Sequence, residues 1–132
     1  VGIWGAPHFL PSKNSGLVDA QRQYIVNATD EDTRRSHLYT GKTSRTIYSS
    51  IHDLWEKSGL ETLPFPDQSI FASAVIGSFH KAGRYDFVGP FSGQVSGLIH
   101  EIQSAKDVLE EMVAQAADIL CRKLPETVVA KV

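Results

Sequence analysis

"SGQVSGLIHEIQSAKDVLEEMV", residues 92–113, joins two patterns that decide how the chain is built. Its first part continues the run from Gly89 and places Gly93 and Gly97 around Gln94 and Ser96, a flexible turn that can approach a flat ligand and offer side-chain hydrogen bonds. Its second part opens a helix. Ser104 and Asp107 form a capping-box-like start, and Ala105, Val108, Leu109, Met112, Val113, Ala116, Ile119 and Leu120 form a continuous apolar stripe. Acidic Asp107, Glu110 and Glu111 near the start and Arg122 and Lys123 near the end match the helix macrodipole, and Pro125 is expected to end the helix. A stripe this wide has to pack on something.

Upstream, "SIFASAVIGSFHKAG" (69–83) predicts a helix of small and apolar residues closed by Gly83, after the two-proline break "LPFPD" (63–67). Before the break, Thr43 or Ser44 is expected to start a helix whose Ile47, Ile51, Leu54 and Trp55 share one face, with Gly59 as a left-handed stop. The polar "TDEDTRRS" (29–36) leads through His37, Leu38 and Tyr39 to Gly41 as a short strand. At the N-terminal end, Val1 to Trp4 reads as a buried strand ended by Gly5, followed by a loop from Pro7 to Gly16. Ser15 is expected to cap a helix over Leu17, Val18, Tyr24 and Ile25, which completes one βα unit.

With 132 residues, 42% of them hydrophobic, the chain can bury one modest core but falls well short of the roughly 250 residues of a whole (β/α)8 barrel. Its net charge of −2, without a basic run or basic-aromatic interleaving, argues against nucleic-acid binding. The single cysteine, Cys121, permits neither an intrachain disulfide nor a thiolate zinc cluster, so a reducing, intracellular compartment is expected. No apolar run approaches a membrane span, and the N-terminus lacks a signal-peptide layout, so no membrane partner is expected. The triplet Asn27-Ala28-Thr29 reads as a chance sequon.

Candidate chemistry is sparse. Histidines 8, 37, 52, 80 and 100 show no metal-ligand spacing, and no metal is expected. His52-Asp53 and His100-Glu101 look like acid-base pairs, yet helical neighbours point in different directions, which favours solvated or capping roles. No Gly-x-Ser-x-Gly elbow anchors a nucleophile. "GIWGAPHF" (2–9) instead places Gly2 and Gly5 at a strand end before a loop and helix, where backbone N–H groups can approach a phosphate.

Three segments in order, "VGIWGAPHF" (1–9), "AQRQYIVNATDEDTRRSHLYTGKTSRTI" (20–47) and the opening stretch, together resemble the C-terminal part of the nitronate monooxygenase family, also called 2-nitropropane dioxygenases. The matching positions are Val1 to Phe9, Gln21 to Ala28, Asp32 to Arg45 and Gly93 to Val113. The resemblance implies an α/β fold: the C-terminal fragment of a TIM-type FMN barrel, contributing one late strand, plus a mostly helical smaller domain. Residues 1–28 would be the end of the barrel domain, 29–103 the smaller domain, and 104–132 a helix packing back on the barrel. The implied activity is FMN-dependent oxidation of an alkyl nitronate by O2 to a carbonyl compound and nitrite.

By the same resemblance, Gly2, Gly5 and Ala6 would serve the flavin phosphate through their backbone, and Gln94 and Ser96 would lie over the ring. No catalytic residue is assigned, because the family's catalytic histidine lies upstream of the Gly-Thr motif and none of the five histidines matches it. The chain also departs from the family. Ala6-Pro7-His8-Phe9 stands where the family has Gly-Thr-Arg-Phe, and a proline has no N–H for a phosphate oxygen. The competing expectation is a non-catalytic, truncated or diverged remnant acting as a helical binding or assembly module. The absent initiator methionine suggests a fragment of a longer enzyme.

Overall fold

The computed structural model describes residues 5–127. The expected strand Val1–Trp4, with Gly2, lies outside them. Gly5 leads into a single helical turn, α1 (Ala6–Phe9), in which Pro7 is tolerated because first-turn N–H groups have no intrahelical partner. The helix expected from Ser15 begins later, as α2 (Asp19–Val26). The Ser15 hydroxyl instead accepts from the Leu17 N–H at 3.3 Å, closing a local turn before the helix can start.

A hairpin follows, β1 (Thr33–Ser36) and β2 (Ser44–Ile47), antiparallel with Thr33 opposite Ile47 and Ser36 opposite Ser44. The helix expected from Thr43 or Ser44 is therefore displaced: residues 44–47 are extended, and α3 (Ser50–Ser58) starts only after Ser49. Pairing with β1 on one side and with the 90–91 segment on the other outweighs helical spacing here. Gly59 ends α3 with φ 65°, the left-handed stop expected of it. Next comes α4 (Asp67–Lys81), closed by Gly83 at φ 68°.

The final helix α5 (Ala105–Asp118) starts as the sequence predicts, with Ser104 Oγ accepting from the Asp107 N–H at 3.1 Å. Pro125 does not end it. A π-helical turn over Ile119–Lys123 absorbs the missing N–H, and α6 (Leu124–Thr127) carries the helix on. The apolar stripe is divided: Val108 is buried, whereas Leu109, Val113, Ile119 and Leu120 are about half exposed or more.

Two apolar clusters hold these elements. Ile25, Ala28, Ile47 and Ile99 join α2, β2 and the 93–99 turn, while Leu38, Tyr39, Ile51 and Val88 join the hairpin connection to α3, with Val75, Ile76 and Phe79 of α4 packed against them. Gln68 is fully buried and bridges elements, donating to the Leu38 carbonyl at 2.5 Å and accepting from the Leu63 N–H at 3.0 Å. No helix among the described residues is long and apolar enough to cross a membrane.

Candidate functional site

The segments 5–9 and 93–98, singled out for flavin contact, are far apart in the chain and meet in space. Gly93, at the start of the 3-10 turn Gln94–Leu98, lies so close to α1 that a Cβ on it would stand 3.9 Å from Pro7 Cγ. The turn is tightly built. Ser96 is fully buried, and its hydroxyl donates to the Gly93 carbonyl at 2.7 Å while lying 2.6 Å from Ser92 Oγ. Gly97 pins the turn to the α2–β1 connection, since a Cβ there would approach Asp30 N to 2.7 Å and Thr29 C to 3.3 Å.

That connection is itself held by Asp32, whose carboxylate accepts from both the N–H and the hydroxyl of Thr29 at 2.8 Å. These bonds, the backbone one first, hold the Asp32 carboxyl below its usual value. Gly5 and Ala6 lie at the start of α1, Ala6 exposed, and Gln94 is exposed at the start of the facing turn.

The donor set fits a flavin unevenly. At the α1 end Pro7 supplies no N–H, and the His8 N–H already donates to the Gly5 carbonyl at 3.0 Å, so the turn is a poor cradle for a phosphate. At the other end the exposed Gln94 amide is suited to a ring edge, whereas the Ser96 hydroxyl is engaged within its own turn. The residues thus do not fit FMN at its phosphate.

Two polar arrangements stand apart from this turn, and only the second escaped sequence reasoning. His52 is buried, with Nδ1 accepting from the Ser49 N–H at 3.2 Å and Nε2 3.1 Å from Thr46 Oγ1. It caps α3, as the capping alternative for His52 holds, and burial is the main cause that keeps its imidazole below the usual value. The Ser-x-x-His spacing from Ser49 could have signalled this role. The second arrangement, Gln21 Nε2 beside His80 Nε2 at 3.5 Å, joins α2 to α4 across a separation no local pattern reveals. Among the described residues, no three His, Cys, Asp or Glu side chains gather as a metal site.

No family profile matches the chain. Curated relatives are monooxygenases, in line with the resemblance found in the sequence. The Mycobacterium tuberculosis protein Rv1533, named as a monooxygenase, is 26% identical over 124 residues, which is 89% of this chain and 33% of that protein. A Bacillus subtilis protein named as a nitronate monooxygenase is 27% identical over 112 residues, covering 84% of this chain and 32% of its own length. Among solved structures, FabK from Thermotoga maritima matches with a TM-score of 0.67 at 22% identity, over 90% of this chain and 37% of that one. A single-substitution variant of FabK gives 0.64 at 19% identity. The chain therefore shares its fold with part of FabK and spans about a third of the length of the curated relatives it matches.

Proposed function

We propose that the chain is the C-terminal portion of an FMN-dependent oxidoreductase of the nitronate monooxygenase type, acting on an alkyl nitronate and O2 to give a carbonyl compound and nitrite. The observation that carries this reading is the meeting of α1 with the Gln94 turn, the two segments whose motifs resemble the family, in a chain whose curated relatives are monooxygenases. The chain's own contribution is to hold the exposed Gln94 amide at the ring side, with Gly5 and Ala6 at the far end. The half-exposed face of Leu109, Val113 and Leu120 would rest on the barrel portion that the longer relatives carry.

Pro7 favours a second reading, a diverged remnant acting as a binding or assembly module, because losing one hydrogen bond to a charged phosphate costs about 1.5–3 kcal/mol, roughly one to two decades of affinity. A chimaera separates the two: this chain replaces the corresponding third of the Bacillus subtilis relative, with and without Ala6→Gly and Pro7→Thr. Retained FMN and nitronate-dependent nitrite release in the unsubstituted chimaera support the enzyme. Flavin binding that appears only after both substitutions supports the remnant, and a folded chimaera that never binds flavin contradicts the enzyme.

A further inference from the structure

A cavity of about 200 Å³ lies between α2, α4 and the 88–91 segment, apart from the Gln94 turn. Leu10, Leu17, Ile76 and Phe91 make its wall largely apolar. Three polar side chains also line it, Gln21, His80 and Tyr39, and the Nε2 atoms of the first two stand 3.5 Å apart. That contact is at the long limit of a hydrogen bond and leaves the second amide hydrogen of Gln21 free to donate elsewhere. The His80 ring is flanked by Tyr85, with ring centroids 5.4 Å apart.

We infer that this cavity binds a short aliphatic oxyanion, its hydrocarbon chain against Leu17, Ile76 and Phe91 and its oxygen between Gln21 Nε2 and His80 Nε2. Two nitrogen donors converging on one point suit an acceptor oxygen, and the His80 ring can present its hydrogen on Nε2 when such an oxygen replaces the long nitrogen-nitrogen contact. The size sets the chain length. At about 30 Å³ per water-sized group, the volume holds about six or seven heavy atoms, a six-carbon chain with one carboxylate oxygen, which leaves the second oxygen at the open mouth. Apolar walls with a few convergent polar groups are the usual composition of a small-molecule site. Leu10 directly follows α1 and Phe91 lies just before the Gly93 turn, so the cavity adjoins both segments in sequence, and a molecule held here needs no flavin to bind.

The test uses the flavin-free chain and hexanoate, with 1-hexanol as the neutral comparator and acetate as the short one, followed by side-chain NMR. Hexanoate is expected to shift the Ile76 methyl and His80 ring signals saturably, and acetate is expected to leave the Ile76 methyl unmoved. His80→Leu, which removes the donor, is expected to weaken hexanoate by about tenfold, as loss of one hydrogen bond to a charged group predicts, and to weaken hexanol less. Leu17→Phe, which narrows the cavity from the segment before α2, should weaken both six-carbon probes. Hexanoate shifts confined to Leu54, Trp55 and Phe71, which line a separate groove between α3 and α4, or no saturable shift in a protein with a dispersed spectrum, would overturn the inference. Hexanoate binding in a chain whose chimaera never takes up flavin would leave the cavity standing and defeat only the enzyme reading.

Discussion

His52 Nε2 and Thr46 Oγ1 lie 3.1 Å apart inside the protein, so the residue that caps α3 is also tied to strand β2. Nδ1 lies 3.2 Å from the Ser49 N and 3.1 Å from the Ser49 carbonyl oxygen, and the Thr46 hydroxyl can donate or accept, so either neutral tautomer finds partners on both ring nitrogens. Stacking against Tyr48, with ring centroids 5.7 Å apart, covers the imidazole face.

Stability is accordingly expected to fall with acid. The folded protein holds the His52 imidazole below its usual value through burial, so the unfolded chain, with a histidine pKa of about 6.5, binds the proton more readily. The contribution is complete above the unfolded value and is lost as pH falls from there towards the folded one. Urea unfolding of the native chain should weaken between pH 7 and pH 5, and His52→Gln should flatten that dependence. An equal slope in the variant would show that another group is responsible.

Gly97→Ala should destabilise by about 1–3 kcal/mol, the usual cost of forcing a methyl into packed structure, because the new Cβ meets the Thr29–Asp30 backbone and no flexible side chain can yield. Gly77→Ala is the control, since nothing lies within 4 Å of its Cβ position. Gly77 is in α4, so alanine there should stabilise by up to about 1 kcal/mol through helix propensity. Denaturant midpoints measure both.

Gln68→Ala should cost about 1–3 kcal/mol for each backbone group left without its partner, the Leu38 carbonyl and the Leu63 N–H. Amide exchange should accelerate at Leu63 if the bond is lost locally. Unchanged protection there would mean that water replaces the glutamine.

Ser104→Ala removes the acceptor for the Asp107 N–H and should cost about 1 kcal/mol. Far-ultraviolet circular dichroism during thermal unfolding should show the C-terminal helix fraying first, because only its early turns are anchored: Asn14 accepts from the Ala105 N–H, and the Lys13 N–H donates to the Gln103 carbonyl.

These features differ in how far the sequence discloses them, and the difference is one of range. The Ser104 cap and the Gly59 and Gly83 stops depend on residues within a single turn, so local rules find them. The hairpin does not. Ser44–Ile47 carries apolar residues at spacings a helix would use, and only pairing with Thr33–Ser36 makes it extended. Ser15 is a plausible cap in sequence, yet its hydroxyl is satisfied one turn too early for a helix.

The candidate site divides in the same way. The glycine turn and the segment 2–9 are visible as motifs, but Pro7–Phe9 reads as loop in sequence and is helical in the fold, and the meeting of the two through Gly93 and Pro7 is tertiary. Ser96 is a candidate ligand donor in sequence, and the fold engages its hydroxyl with Ser92 and the Gly93 carbonyl. The Gln21–His80 pair has no sequence signature at all, because two helices far apart in the chain create it.

The most direct test of the central proposal is flavin retention by the unsubstituted chimaera with the Bacillus subtilis relative, read as the protein-bound flavin spectrum after gel filtration and as nitrite released per flavin from an alkyl nitronate. The account predicts co-eluting FMN, nitrite release, and loss of both rate and flavin when Gln94 is replaced by alanine. A folded chimaera that elutes free of flavin, or one whose turnover ignores Gln94→Ala, would contradict it.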